Sequence, residues 1–163
     1  MTREESLIRK DRMLYTKDTL PATLILLAIV TNVLYFVSIY QTDVGTYYYT
    51  LVIGASIIYN LLFMLMAFLA SEGVKARKTG YTGMLIFLGV MQIVRIFYLP
   101  AKAHEASVVI QNVEYAVMTD GQHTYVVCCL VASALCCLAG AVISYINNKT
   151  LANYVRSLEN KSA

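Results

Sequence analysis

The 163 residues include no Trp, two Pro and only 14% charged side chains. A soluble domain carries roughly a quarter charged residues. The shortage would fit a large soluble core if the remaining charges were spread evenly, but they are missing in blocks. Residues 19–42, 44–71 and 121–148 contain no Lys, Arg, Asp or Glu. Each run exceeds the roughly 20 residues that cross a hydrocarbon core. A fourth run, 79–94, is interrupted by Arg95 and resumes as Ile96-Phe97-Tyr98-Leu99. The pattern predicts an integral membrane protein of the all-α class: an antiparallel four-helix bundle with spans at about 21–40, 48–70, 81–99 and 124–146. A polar tail (1–18) precedes this transmembrane domain (19–148), and a tail of residues 149–163 follows it.

Other absences narrow the function. No Asp or Glu lies within the four expected spans. Proton-coupled carriers usually keep an acid inside a helix, so a small multidrug-type antiporter is disfavoured. There is no GxSxG, Walker loop or HExxH, and the chain is expected not to be an enzyme and to need no cofactor. A net charge of +3 without a nucleic-acid motif disfavours a nucleic-acid partner. The first run lies behind a charged tail and lacks a small-x-small site, so it is not read as a cleavable signal.

Basic residues set the expected orientation. Arg3, Arg9, Lys10, Arg12 and Lys17 precede the first span; Lys75, Arg77 and Lys78 lie between the second and third; Lys149, Arg156 and Lys161 follow the fourth. On the other side Lys102 is the clear loop base. The positive-inside rule places both termini in the cytoplasm of a multi-pass protein of the cell membrane. Thirteen Tyr take the interfacial role of the missing Trp, notably Tyr47–Tyr49 after the turn at Asp43 and Gly45, and Tyr35, Phe36 and Tyr40 near the same interface. Pro21 suits a first helical position and Pro100 is expected to end the third span. The loop 101–122 has an apolar, β-branched stretch at 107–113, which fits a short strand or an interface-hugging loop.

Polar residues inside the spans are the candidate site. Arg95 lies about one turn from the outer end of its helix, where the ordinary expectation is that it snorkels to the headgroups. A sharper reading joins it to Gln92, three residues back on one face, and to Asn32 and Asn60 at mid to outer depth in two other spans. Amides in hydrocarbon need partners, so Asn32, Asn60, Gln92 and Arg95 are expected to turn inward, as interhelical glue or as the lining of an anion-attracting cavity. Cys128-Cys129 and Cys136-Cys137 are adjacent pairs about 100° apart on a helix, unsuited to a disulfide or chelate. Cys129, Ser133, Cys136, Gly140 and Ser144 instead form a stripe of small residues for close helix packing. His104, Glu105, Glu114, Asp120 and His123 match no metal-ligand spacing and are read as a solvated loop with no metal. Residues 150–160 carry Leu151, Tyr154, Val155 and Leu158 at helical spacing, a candidate docking stripe for a partner or the inner leaflet. Glu4, Asp11 and Asp18 would share one face of a weak N-terminal helix.

No motif names a family, and the four-span layout alone licenses no function. The leading expectation is a non-catalytic accessory or scaffolding subunit of a larger membrane complex, plausibly a transport system. Its partners would be the lipid bilayer and other membrane or cytoplasmic subunits. The alternative is a small-solute or anion transporter acting as an oligomer.

Overall fold

A computed structural model describes residues 3–15, 18–40, 50–105, 107–110, 113–116 and 118–162. The expected turn at Asp43 and Gly45 and the tyrosines Tyr47–Tyr49 lie outside the described residues. The elements are α1 (Arg3–Tyr15), α2 (Thr19–Tyr40), α3 (Thr50–Lys75), α4 (Gly80–Ile96), α5 (Leu99–Glu105), β1 (Ser107–Ile110), β2 (Val113–Ala116) and α6 (Asp120–Ser162). Four helical stretches are long and apolar enough to cross a membrane: Thr19–Ile39, Gly54–Lys75, Gly80–Glu105 and Asp120–Leu158. In hydrocarbon each backbone N–H and C=O must be paired within the protein, and a helix achieves that within one segment. The outward faces carry Leu26, Leu27, Val30, Leu61, Leu65, Phe68, Ile86, Phe87, Leu135 and Val142, all exposed. In water this would be an apolar surface far beyond what a soluble monomer tolerates; in a bilayer it is the lipid-facing side.

The element bounds differ from expectation in three places, and the 101–122 loop takes the strand alternative. α3 runs five residues past 70, because Ser71 Oγ donates to the Ala22 carbonyl at 3.3 Å and Lys75 pairs with Glu72 one turn back. It then ends in a Schellman motif: Arg77 N–H bonds to the Val74 carbonyl at 2.9 Å and Lys78 N–H to the Gly73 carbonyl at 3.1 Å. The third helix, expected to run to Leu99 and end at Pro100, breaks after Ile96 and resumes at Leu99, so the apolar helical stretch continues past Pro100 to Glu105. Pro100 sits in the first turn of α5, where a missing N–H costs nothing. The apolar part of the 101–122 loop is a hairpin, with Ser107 opposite Ala116 and Ile110 opposite Val113. Finally, the fourth span and the C-terminal tail are one 43-residue helix. At about 1.5 Å per residue it is roughly 65 Å long, about twice the hydrocarbon thickness. The tail is therefore a helical stalk continuous with the span.

α2 and α4 both pack closely on α6, and α3 packs on α2 more than on α4. Gly89 permits the α4–α6 approach, since a Cβ there would stand 2.8 Å from Leu138 Cγ. Gly140 also faces α2, but a Cβ there would stand 3.4 Å from the Pro21 carbonyl, an ordinary contact. The small-residue stripe on α6 is buried at Cys129, Ser133, Gly140 and Ser144, but Cys137 rather than Cys136 is the fully buried cysteine. All four cysteines are free. The buried apolar residues fall into two clusters. One joins Ile25, Ala28, Phe63, Ala67, Leu85, Leu88 and Cys137; the other joins Tyr35, Ile39, Leu99, Ala103, Met118, Val126 and Leu130.

Candidate functional site

Between the two apolar clusters in sequence, each membrane-crossing helix contributes polar side chains. On α4 the buried residues are Thr82, Leu85, Leu88, Gly89, Gln92 and Arg95. These recur every three or four positions, so Arg95 belongs to the packed face of its helix. It is 8% exposed, and Asn32, Asn60, Gln92 and Ser133 are fully buried. Gln92 Nε2 donates to Asn32 Oδ1 at 3.0 Å and lies 3.3 Å from Ser133 Oγ. Asn32 Nδ2 donates to Asn60 Oδ1 at 3.3 Å. Arg95 Nη1 donates to Asn60 Oδ1 at 2.8 Å and to Asn32 Oδ1 at 3.3 Å. Asn60 Nδ2 donates to the Ser56 carbonyl at 3.1 Å, and Ser133 Oγ to the Ala28 carbonyl at 3.0 Å. Asn32 (α2), Asn60 (α3), Gln92 and Arg95 (α4) and Ser133 (α6) thus form one hydrogen-bonded knot.

Two aromatic rings complete the seat of the guanidinium. Arg95 Cζ lies 4.2 Å from the centroid of Tyr35 and 4.9 Å from that of Tyr59. A desolvated cation over a tyrosine face gains up to about 2 kcal/mol. This corrects two expectations. Arg95 does not snorkel outward: ring faces and amide carbonyls receive its charge inside the bundle. Tyr35 is fully buried and not an interfacial ring. Ser133 and Tyr59 were not among the expected site residues. Ser133 belongs to the stripe of small packing residues, and its hydroxyl on that stripe is the available signal. Nothing in the spacing of Tyr59 singles it out.

Arg95 also reaches the surface of a cavity. A space of about 470 Å³ between α3 and α4 is lined by Ser56, Tyr59, Met91, Val94, Arg95 and Tyr98 among others. Asn32, Asn60 and Gln92 are not in its wall. The cavity therefore touches one edge of the knot and does not run through it.

At one end of the helices, Asp18 is buried between α1 and α2, where Asn147 Nδ2 donates to its carboxylate at 2.6 Å and its own N–H meets the Lys75 carbonyl at 3.4 Å. Asp18 is therefore not on the α1 face that carries Glu4 and Asp11, which are exposed. α1 packs on the stalk, with Arg9 Cζ 5.6 Å from the Tyr154 ring centroid. The docking stripe Leu151, Tyr154, Val155 and Leu158 is half-buried and partly engaged by the chain itself. At the other end, His104 and His123 stack with centroids 4.4 Å apart, and His104 Nε2 lies 3.8 Å from Asp120 Oδ1. The loop thus gathers these three residues, which the spacing did not predict, because α5 and the start of α6 lie side by side. Among the described residues no His, Cys, Asp or Glu cluster could hold a metal ion. Compared with protein-family models, characterised proteins and solved structures, the chain matches none.

Proposed function

We propose that this protein is a non-catalytic accessory subunit of a larger membrane complex. We read it as an antiparallel four-helix bundle in the cell membrane, with both termini cytoplasmic by the distribution of basic residues. The observation that carries the reading is the knot. Its amides are fully buried and bonded to one another across three helices, with the Ser133 hydroxyl linking the fourth, an arrangement suited to bracing a bundle and not to lining a path through it. The stalk supports the same reading: α1 packs on the end of α6 around Tyr154, beyond the charge-free run, and leaves Leu7 and Ile8 exposed. A surface of that kind suits a cytoplasmic partner.

The test is purification in mild detergent of the whole chain and of a chain lacking residues 149–163. The reading expects the whole chain to elute in a larger assembly of fixed composition, and the truncated chain to elute alone though still folded. A whole chain that elutes alone overturns it. The second reading, an anion transporter acting as an oligomer, draws on the cavity beside Arg95. It expects anion flux in reconstituted vesicles that is lost in Arg95→Ala.

A further inference from the structure

The turn between α3 and α4 and the proximal part of the stalk enclose a second cavity, of about 520 Å³, lined by Arg77, Thr79, Asn148, Leu151, Val155 and Arg156 among others. Two of its lining residues hold donors shut off from solvent: Arg77 Nε and Asn148 Nδ2 have no hydrogen-bond partner within the protein. Buried donors without acceptors are uncommon in folded proteins, and each is destabilising. Among the described residues no carboxylate lines the cavity. Glu72 pairs with Lys75, and Asp18 accepts from Asn147. Arg77, Asn148 and Arg156 thus bring two guanidinium groups and an amide to the edge of a largely apolar cavity, with Lys78 and Lys149 adjacent in sequence.

The backbone adds an independent observation. Arg77 occupies the left-handed position of the Schellman motif, with φ of 55°. Glycine is the usual residue there, because a side chain is strained in that conformation. An arginine at this position puts a forked donor into the turn at a conformational cost that glycine would avoid.

We propose that this cavity binds a phosphate group between Arg77 and Arg156. Guanidinium forks match phosphate oxygens in pairs, and a small side-chain rotation lets the bound oxyanion satisfy the two orphan donors. Thr79 directly precedes α4, and Asn148 is the final residue of the last charge-free run. The site therefore sits at the depth of lipid headgroups. The phosphate could come from a phospholipid headgroup or from solution; the recognition chemistry is the same. The inference does not depend on the accessory-subunit reading.

The experiment uses the full chain, as wild type and as Arg77→Gln and Arg156→Gln. In detergent, inorganic phosphate is titrated against chloride at matched ionic strength while thermal unfolding is followed. In nanodiscs of phosphatidylcholine with and without phosphatidic acid, lipid retention is measured by native mass spectrometry. Saturating ligand should raise the midpoint by about 3 °C or more, and each variant should weaken binding about tenfold or more. A response to phosphate alone assigns a soluble ligand, a response to phosphatidic acid alone assigns a headgroup, and either supports the site. Equal stabilisation by chloride, binding unchanged in both variants, or no response to either probe overturns it. Arg156 is exposed on the stalk, so Arg156→Gln tests the site even if the Arg77 variant misfolds.

Discussion

The chain holds two arginines in opposite circumstances. Arg95 lies within the spans, its Nη1 bonded to two amide oxygens and its guanidinium flanked by two tyrosine rings. Arg77 lies at the end of the spans, in a strained turn, with Nε buried and unsatisfied. The difference teaches where each kind of polar group stabilises. Inside hydrocarbon, polar groups must find partners within the fold, and the four helices bring most of these groups together, although Gln92 Oε1 and the Tyr59 hydroxyl make no hydrogen bond among the described residues. At the headgroup boundary an incomplete donor set is tolerable, because water, lipid or solute can complete it.

Four substitutions break or sharpen this contrast. The largest effect is expected from Asn32→Leu. It removes the acceptor shared by Gln92 and Arg95 and the donor to Asn60. A hydrogen bond to a charged group is worth about 1.5–3 kcal/mol, so a loss of about 2–3 kcal/mol should appear in detergent unfolding. Gly89→Ala comes next. The new methyl meets Leu138 Cγ at 2.8 Å, and overpacking of this kind costs about 1–3 kcal/mol; the same assay should show it. Ser133→Ala removes one neutral link between α6 and the knot. Neutral contacts between membrane helices average about 0.6 kcal/mol, and a double-mutant cycle with Gln92→Leu should recover a coupling of that size. The smallest change has the opposite sign. Arg77→Gly relieves the left-handed strain and one orphan donor, and should raise stability by about 0.5–1 kcal/mol while removing phosphate binding. If Arg77→Gly lowered stability, the turn would be held by its arginine side chain and the contrast would fail.

Much of this was legible in the residues. Four charge-free runs located the four spans, because length and hydropathy alone decide what enters a bilayer. The amides at 32, 60 and 92 pointed to each other because hydrocarbon offers no other partner. The inward turn of Arg95 was less visible, although the spacing of 85, 88, 92 and 95 carried it. A helix-end arginine is usually read by depth, and here periodicity outweighs depth. The continuity of the stalk was hidden because the polar residues after 146 look like a boundary, yet none of them breaks a helix. The role of Pro100 was also hidden, since a proline ends one helix or begins another with equal local logic. The cavity at Arg77 depends on two segments about 70 residues apart meeting, which no local pattern encodes.

The central claim is that the amide knot is a sealed brace, and the side-chain amide protons of Asn32, Asn60 and Gln92 test it most directly. In lipid nanodiscs, NMR-detected exchange of these protons with solvent should be slow, comparable to that of the backbone of the spans around them. Exchange as fast as that of Asn153 on the exposed stalk would mean that water reaches the knot, and would contradict the claim.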